Sequence, residues 1–219
     1  MSAPPLLPIT IQACALSVVS SLLAQVLGAY QNTTPLVEAF DWVAVLKFVV
    51  FAFIMTPPNV LWQTFLESSL PGKRKVLASE KGEKREQGGK PKESLNIPNT
   101  IIKTLLDQSF GSCVNTFMFC AYMAVWDLFV VQQQQQQQPL DVAALGGLVS
   151  AAVASRVSSD FVPFMKAGWR FWPWVSLGNF ALVSDVATRN LVGGLAGIAW
   201  GVYVNLFAAG SSAVAVKEE

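Results

Sequence analysis

Residues Trp169 to Tyr203, WRFWPWVSLGNFALVSDVATRNLVGGLAGIAWGVY, decide the fold class. Three tryptophans crowd about Pro173, Arg189 follows alone, and an apolar run with four glycines ends at Trp200 and Tyr203. A water-soluble domain rarely carries so much aromatic and small-residue surface around so few charges. A membrane-embedded helical hairpin does.

The rest of the chain agrees. It is 53% hydrophobic and 13% charged, and more than half of its 15 Lys and Arg fall in residues 73–92. Such a distribution, rather than the length, points to a bilayer. Residues 6–28 carry no charge and are long enough to cross a ~30 Å hydrocarbon core with some tilt. Residues 42–62 form a second apolar segment, interrupted by Lys47 and Pro57-Pro58, and residues 109–126 a third. Residues 169–182 and 191–209 complete the set, as two short spans or as a surface helix plus one span. Residues 142–155 read as an amphipathic or partly buried helix, too short and too rich in Ala and Gly for a span. The expected fold is an all-α polytopic membrane bundle of four or five transmembrane helices in one integral membrane domain, 1–219.

The connecting segments differ. Residues 31–41 hold two acids and no base, whereas residues 71–99 hold eight bases against four acids with scattered Gly and Pro. The latter reads as a flexible basic linker. Residues 132–138 are a polyglutamine run ended by Pro139 and read as a length-variable loop. Under the positive-inside bias, four spans place the linker and both termini on one face, cytosolic in a peroxisome or matrix-facing in a mitochondrion. Five spans move the C-terminus across. With no Lys or Arg before Lys47, a basic leader is not expected, and Lys217-Glu218-Glu219 matches no retention tripeptide. Targeting signals are expected to be internal.

Chemistry has few places to reside. The chain has no His, which removes the commonest general base and metal ligand. Cys14, Cys113 and Cys120 lie in apolar stretches and read as packing residues. Cys113 and Cys120 would stand roughly 10 Å apart on a helix, too far for a disulfide. No nucleophile–base pair, phosphate-binding glycine loop or paired-carboxylate site is present. Neither an enzyme nor a cofactor or metal site is expected, and nucleic acid is not expected as a partner.

Polar groups in a membrane tend to face a protein interior or an aqueous path. The candidates are Lys47, Asp107, Gln108, Asn115, Asp127, Asn179, Asp185, Arg189 and Asn205. Lys47 either snorkels to the interface or faces a cavity. Asp107 and Asp127 bracket the third span and read as its ends; Lys103 stands one turn from Asp107 and could pair with it. Asp185, one turn before Arg189, could neutralise that guanidinium. Pro57 and Pro58 deprive the carbonyls of Phe53 and Ile54 of helical partners, and Pro173 does the same to Trp169, so another helix, water or a hydroxyl such as Thr56 must serve. Such breaks mark a packing kink or a solute path. The path-lining candidates are Lys47, Pro57, Pro58, Asp127, Asp185 and Arg189. Gly193, Gly197 and Gly201 recur every four residues, a strip expected to pack tightly against another helix in a right-handed crossing.

The pattern Trp169-x-x-Trp172-Pro173, Asn179-Phe180, Arg189, Trp200-x-x-Tyr203 resembles the C-terminal signature of the Mpv-seventeen and twenty-two-kilodalton peroxisomal membrane protein family. Upstream positions extend the resemblance: Pro5 to Gln25, Asp41 with Pro57 and Trp62, and Lys103 with Asp107-Gln108. Departures include Ser20-Ser21 in place of the family's Gly-Asp and a one-residue insertion between Val183 and Arg189. The resemblance implies a small integral protein of the mitochondrial inner or peroxisomal membrane. It implies a weakly selective small-solute channel or permeability modulator. A second expectation is a non-enzymatic organiser that forms homo-oligomers and recruits organelle proteins through the basic linker.

Overall fold

The computed structural model describes the backbone of residues 5–75, 93–134 and 142–215; side chains at 74, 75, 93, 131–134, 142–144 and 202–215 fall outside that description. In chain order it places α1 (Leu6–Gln31), a short α2 (Leu36–Ala39), α3 (Trp42–Ser69), strands β1 (Lys73–Lys75) and β2 (Glu93–Leu95), α4 (Ile97–Leu106), α5 (Ser112–Gln134), α6 (Val142–Leu182) and α7 (Val186–Ala215). A π-helical turn, Asp107–Gly111, joins α4 to α5 without a break. Three helical stretches among the described residues are long and apolar enough to cross a membrane: Leu6–Gln31, Trp42–Ser69 and Ile97–Val130.

These segments are helical because lipid leaves the backbone no other hydrogen-bonding partner. Their apolar residues lie all round the helix, and many face outward, among them Ile11, Leu23, Phe53 and Leu61. That is the pattern of a helix whose solvent is hydrocarbon. The start of α3 is set by Asp41, whose carboxylate accepts the N–H groups of Val43 and Ala44 at 2.8 and 3.1 Å. Gln25 of α1 clamps the same residue: its amide accepts the Asp41 N–H at 2.8 Å and donates to the Asp41 carbonyl at 3.0 Å. Two positions that carry the upstream resemblance, Gln25 and Asp41, therefore meet.

Helix α1 packs against α3 and α7, and α5 packs against α6; α6–α7, α3–α7 and α3–α5 contacts join the two groups. The glycine strip is shifted from its expected line. Gly193 and Gly197 face open space, whereas a Cβ on Gly194 would lie 2.5 Å from Leu16 and one on Gly201 3.0 Å from the Ser20 hydroxyl. Gly194 and Gly201 are seven residues apart. That spacing keeps a contact line along two nearly parallel helices, unlike the slanted four-residue strip. Tyr203 and Asn205 lie on α7, with side chains outside the described residues.

Other boundaries also move. Residues 142–155 and 169–182 belong to one 41-residue helix, α6, which runs through Pro163 and Pro173. Residues 156–168, between the two segments, include Pro163 and Gly168, and the helix continues through both. Helix α3 likewise passes through Pro57 and Pro58, and the Thr56 hydroxyl donates to the Ala52 carbonyl at 2.6 Å, not to Phe53 or Ile54. The third helix starts ten residues before Asp107, which is interior and not an end. The basic linker is ordered at its base, where Lys73, Arg74 and Lys75 pair antiparallel with Leu95, Ser94 and Glu93. Its centre, residues 76–92, lies outside the described residues, as do residues 135–138 of the glutamine run; Gln132–Gln134 complete α5.

Candidate functional site: a buried ionic cluster at one end of the bundle

Glu67 sits in the last turn of α3. Lys103 comes from α4, Phe180 from the end of α6 and Arg189 from the first turn of α7. These four elements converge because the β1–β2 base returns the chain beside α3 and the short 183–185 turn reverses α6 into α7. The Glu67 carboxylate lies 2.7 Å from Lys103 Nζ and 2.7 Å from Arg189 Nη1. The Arg189 contact is an ion pair without the alignment of a hydrogen bond; the directed donation is from Nε to the Val183 carbonyl, at 2.9 Å. Both cations also stand over the Phe180 ring, at 4.9 and 5.1 Å from its centroid. Lys103 is 0% exposed and Arg189 4%.

Gly72 closes the cluster. Its N–H donates to Glu67 Oε1 at 2.9 Å, and a Cβ there would lie 2.9 Å from Lys103 Nζ. Two cations thus share one carboxylate, leaving a formal surplus of one positive charge in a buried setting. Such a cluster holds only while every member is paired, because an isolated buried ion costs several kcal/mol (about 3–5 kcal/mol when one partner is removed).

One turn deeper, the π-helical turn carries a second polar group. Asp107 Oδ1 accepts from Trp62 Nε1 at 3.2 Å and Gln63 Nε2 at 3.0 Å. Its Oδ2 accepts from Ser176 Oγ at 2.7 Å and Gln108 Nε2 at 3.1 Å. Four neutral donors thus saturate a carboxylate inside an apolar bundle. The Gln108 carbonyl accepts from Trp169 Nε1 at 3.0 Å. π turns displace backbone groups from the regular ladder and recur at functional sites. Gly111 is required here: a Cβ would lie 2.8 Å from Trp62 Nε1. Gln108 Oε1 and Asn179 Oδ1 are buried without a partner among the described residues.

A second ionic cluster lies toward the other end. Lys47 Nζ reaches Asp127 Oδ1 at 2.6 Å, Arg156 Nη1 reaches Asp127 Oδ2 at 3.1 Å, and Arg156 also pairs with Asp160 one turn on. These side chains are 18–43% exposed. From Lys47 to Glu67 along α3 is twenty residues, about 30 Å, the thickness of a hydrocarbon core.

The structure therefore groups the expected residues differently from their sequence neighbours. Lys103 pairs with Glu67 and not with Asp107. Arg189 pairs with Glu67 and not with Asp185, which instead caps α7, accepting the Thr188 N–H at 2.7 Å. That hydrogen bond holds the Asp185 carboxyl below the usual range. Lys47 and Asp127 come together, while Pro57 is half-buried and Pro58 exposed. Trp169 and Trp172 sit with Pro173 on α6; Phe171 and Trp172 meet Trp200 of α7 with ring centroids 5.8 and 6.1 Å apart. Asn179 donates to the Arg189 carbonyl at 3.3 Å. A cavity of about 350 Å³ is lined by Ala167, Arg170, Phe171, Ala199 and Trp200, and by none of the six path-lining candidates. Glu67, Arg156, Asp160 and Ser176 were not anticipated. Glu67 had a signal: it is the single acid between Asp41 and Glu80.

The Mpv17 / PMP22 family model matches residues 143–205. PXMP2/4 family protein 3 of Dictyostelium discoideum is 41% identical over 49 residues, 22% of this chain and 26% of the relative. The aligned part thus spans about a quarter of that relative. No solved structure matches. The match over residues 143–205 takes in the signature from Trp169 to Tyr203, including Phe180 and Arg189 of the buried cluster.

Proposed function

We propose that this membrane protein of the Mpv17 / PMP22 family acts as a weakly selective small-solute channel or permeability modulator. Its setting is an organelle membrane, mitochondrial inner or peroxisomal, crossed four or five times, and its working form is a homo-oligomer. The observation that carries this reading is the polar column between α3, α4, α6 and α7. It begins at Glu67, Lys103 and Arg189 and continues one turn inward to Asp107, Gln108 and Ser176. Ionisable groups set into apolar helices mark solute or ion pathways more often than they serve stability. The unpartnered Gln108 and Asn179 oxygens leave acceptors for water or a solute in that column. Lys47 and Asp127 stand at the opposite mouth.

Single-channel recording from the purified protein in planar bilayers tests the proposal, with Arg189→Lys and Lys103→Met beside the wild type. Discrete openings whose size or ion preference changes in the variants are expected. Silence from protein shown to be folded and inserted would sink the channel and favour an organiser that recruits partners through residues 73–92. Deleting that tract should leave solute flux intact.

A further inference from the structure

On α6, Lys166 and Arg170 are one turn apart and both exposed. No described carboxylate pairs with either, although every other described cation outside the basic tract's base has a partner. Arg170 also borders the cavity of about 350 Å³ between α6 and α7. The remaining described walls are apolar: Ala167 and Ala199 leave the space, and the stacked rings of Phe171 and Trp200 form its side. Trp169 and Trp174 flank Arg170 and are 53% and 74% exposed.

The depth is informative. Tryptophans gather where hydrocarbon meets water. On α3, Trp42 and Trp62 are twenty residues apart, about 30 Å, which matches the hydrocarbon thickness. Trp62 and Ser176 share Asp107, and Trp169 reaches the neighbouring Gln108 carbonyl, so Arg170, six residues or about 9 Å from Ser176 along α6, lies inward of the Trp62 level by a distance an extended arginine side chain can span. A guanidinium with no carboxylate partner among the described residues, on an exposed helix face and able to extend toward that interface, is placed to meet lipid headgroups. The cavity beside it meets acyl chains.

We infer that Arg170, assisted by Lys166, and the Phe171–Trp200 cleft form a binding site for an anionic phospholipid. The phosphate sits on the guanidinium and an acyl segment lies against the two rings. Arginine suits this task because its planar fork donates two parallel hydrogen bonds to phosphate. Lys166 adds a second charge by snorkelling along the same face.

Lipid binding to the full-length protein in detergent, read by native mass spectrometry, tests the site. The probes are palmitoyl-oleoyl phosphatidylglycerol, the matching phosphatidylcholine, and soluble phenyl phosphate. The wild type should prefer phosphatidylglycerol by about 10-fold or more, the scale of a charge-assisted hydrogen bond. Arg170→Gln should abolish that preference, and Arg170→Lys should restore part of it. Ala167→Leu, which fills the cleft without altering charge, should weaken both lipids equally. An Arg170→Gln protein that keeps the full preference would overturn the site and move it elsewhere, residues 73–92 included. Arg170-dependent binding of phenyl phosphate that phosphatidylglycerol fails to displace would also overturn it, in favour of a soluble anion.

Discussion

The two ionic clusters use the same chemistry in different surroundings. At one end Glu67 holds two almost fully buried cations, backed by an aromatic ring and a glycine with no room for a side chain. At the other, Lys47, Asp127, Arg156 and Asp160 form a chain of partly exposed pairs. Burial decides what each can do. An exposed pair contributes about 0–1 kcal/mol because water competes for both partners. A buried one couples several helices, because no member can be lost without stranding the others.

The largest test of that contrast is Glu67→Ala. It strands Lys103 and Arg189 together and should lower stability by about 3–5 kcal/mol, measured by denaturation in detergent. A loss below 1 kcal/mol would make the two clusters equivalent. Gly72→Ala should be next, at about 1–3 kcal/mol, since the added methyl meets a lysine head held by its ion pair.

Asp185 separates the buried cation from the neighbour that local spacing assigns to it. Asp185→Ala removes a helix cap and should cost about 1 kcal/mol while leaving the Glu67–Arg189 pair in place. Its carboxyl lies below the usual range through the Thr188 N–H. The stabilisation it gives is therefore fully present above about pH 4, the unfolded value, and is lost as pH falls through the lowered folded value. Asp185→Asn should flatten that acid limb of the stability profile. The smallest effect belongs to Asp127→Asn, at about 0.2–1 kcal/mol. It should shrink further as salt rises from low to molar concentration. A salt-insensitive loss of several kcal/mol would show that bilayer or partner copies bury this end as well.

The helical membrane class, the starts of α1 and α3 and the family resemblance were legible, because each depends on local pattern: uncharged apolar runs and aromatic spacing. Segment ends were less so. Pro57, Pro58 and Pro173 read as interruptions, yet the helices pass through them. Proline removes one donor and need not end a helix whose neighbours hold it. The glycine line shifted by one residue at its first member, from Gly193 to Gly194, because a helix alone does not say which side its partner takes.

From the sequence alone came the solvent of this protein: apolar segments of bilayer length with charge gathered between them have one low-energy setting. The tertiary structure alone decided who pairs with whom. Lys103 and Arg189 each had a carboxylate one turn away, and both instead meet Glu67, 36 and 122 residues distant in the chain. The reason is that a one-turn pair on an isolated helix is worth only ~0.2–0.5 kcal/mol, whereas a charge enclosed by four packed elements must find its partner among whatever that packing encloses.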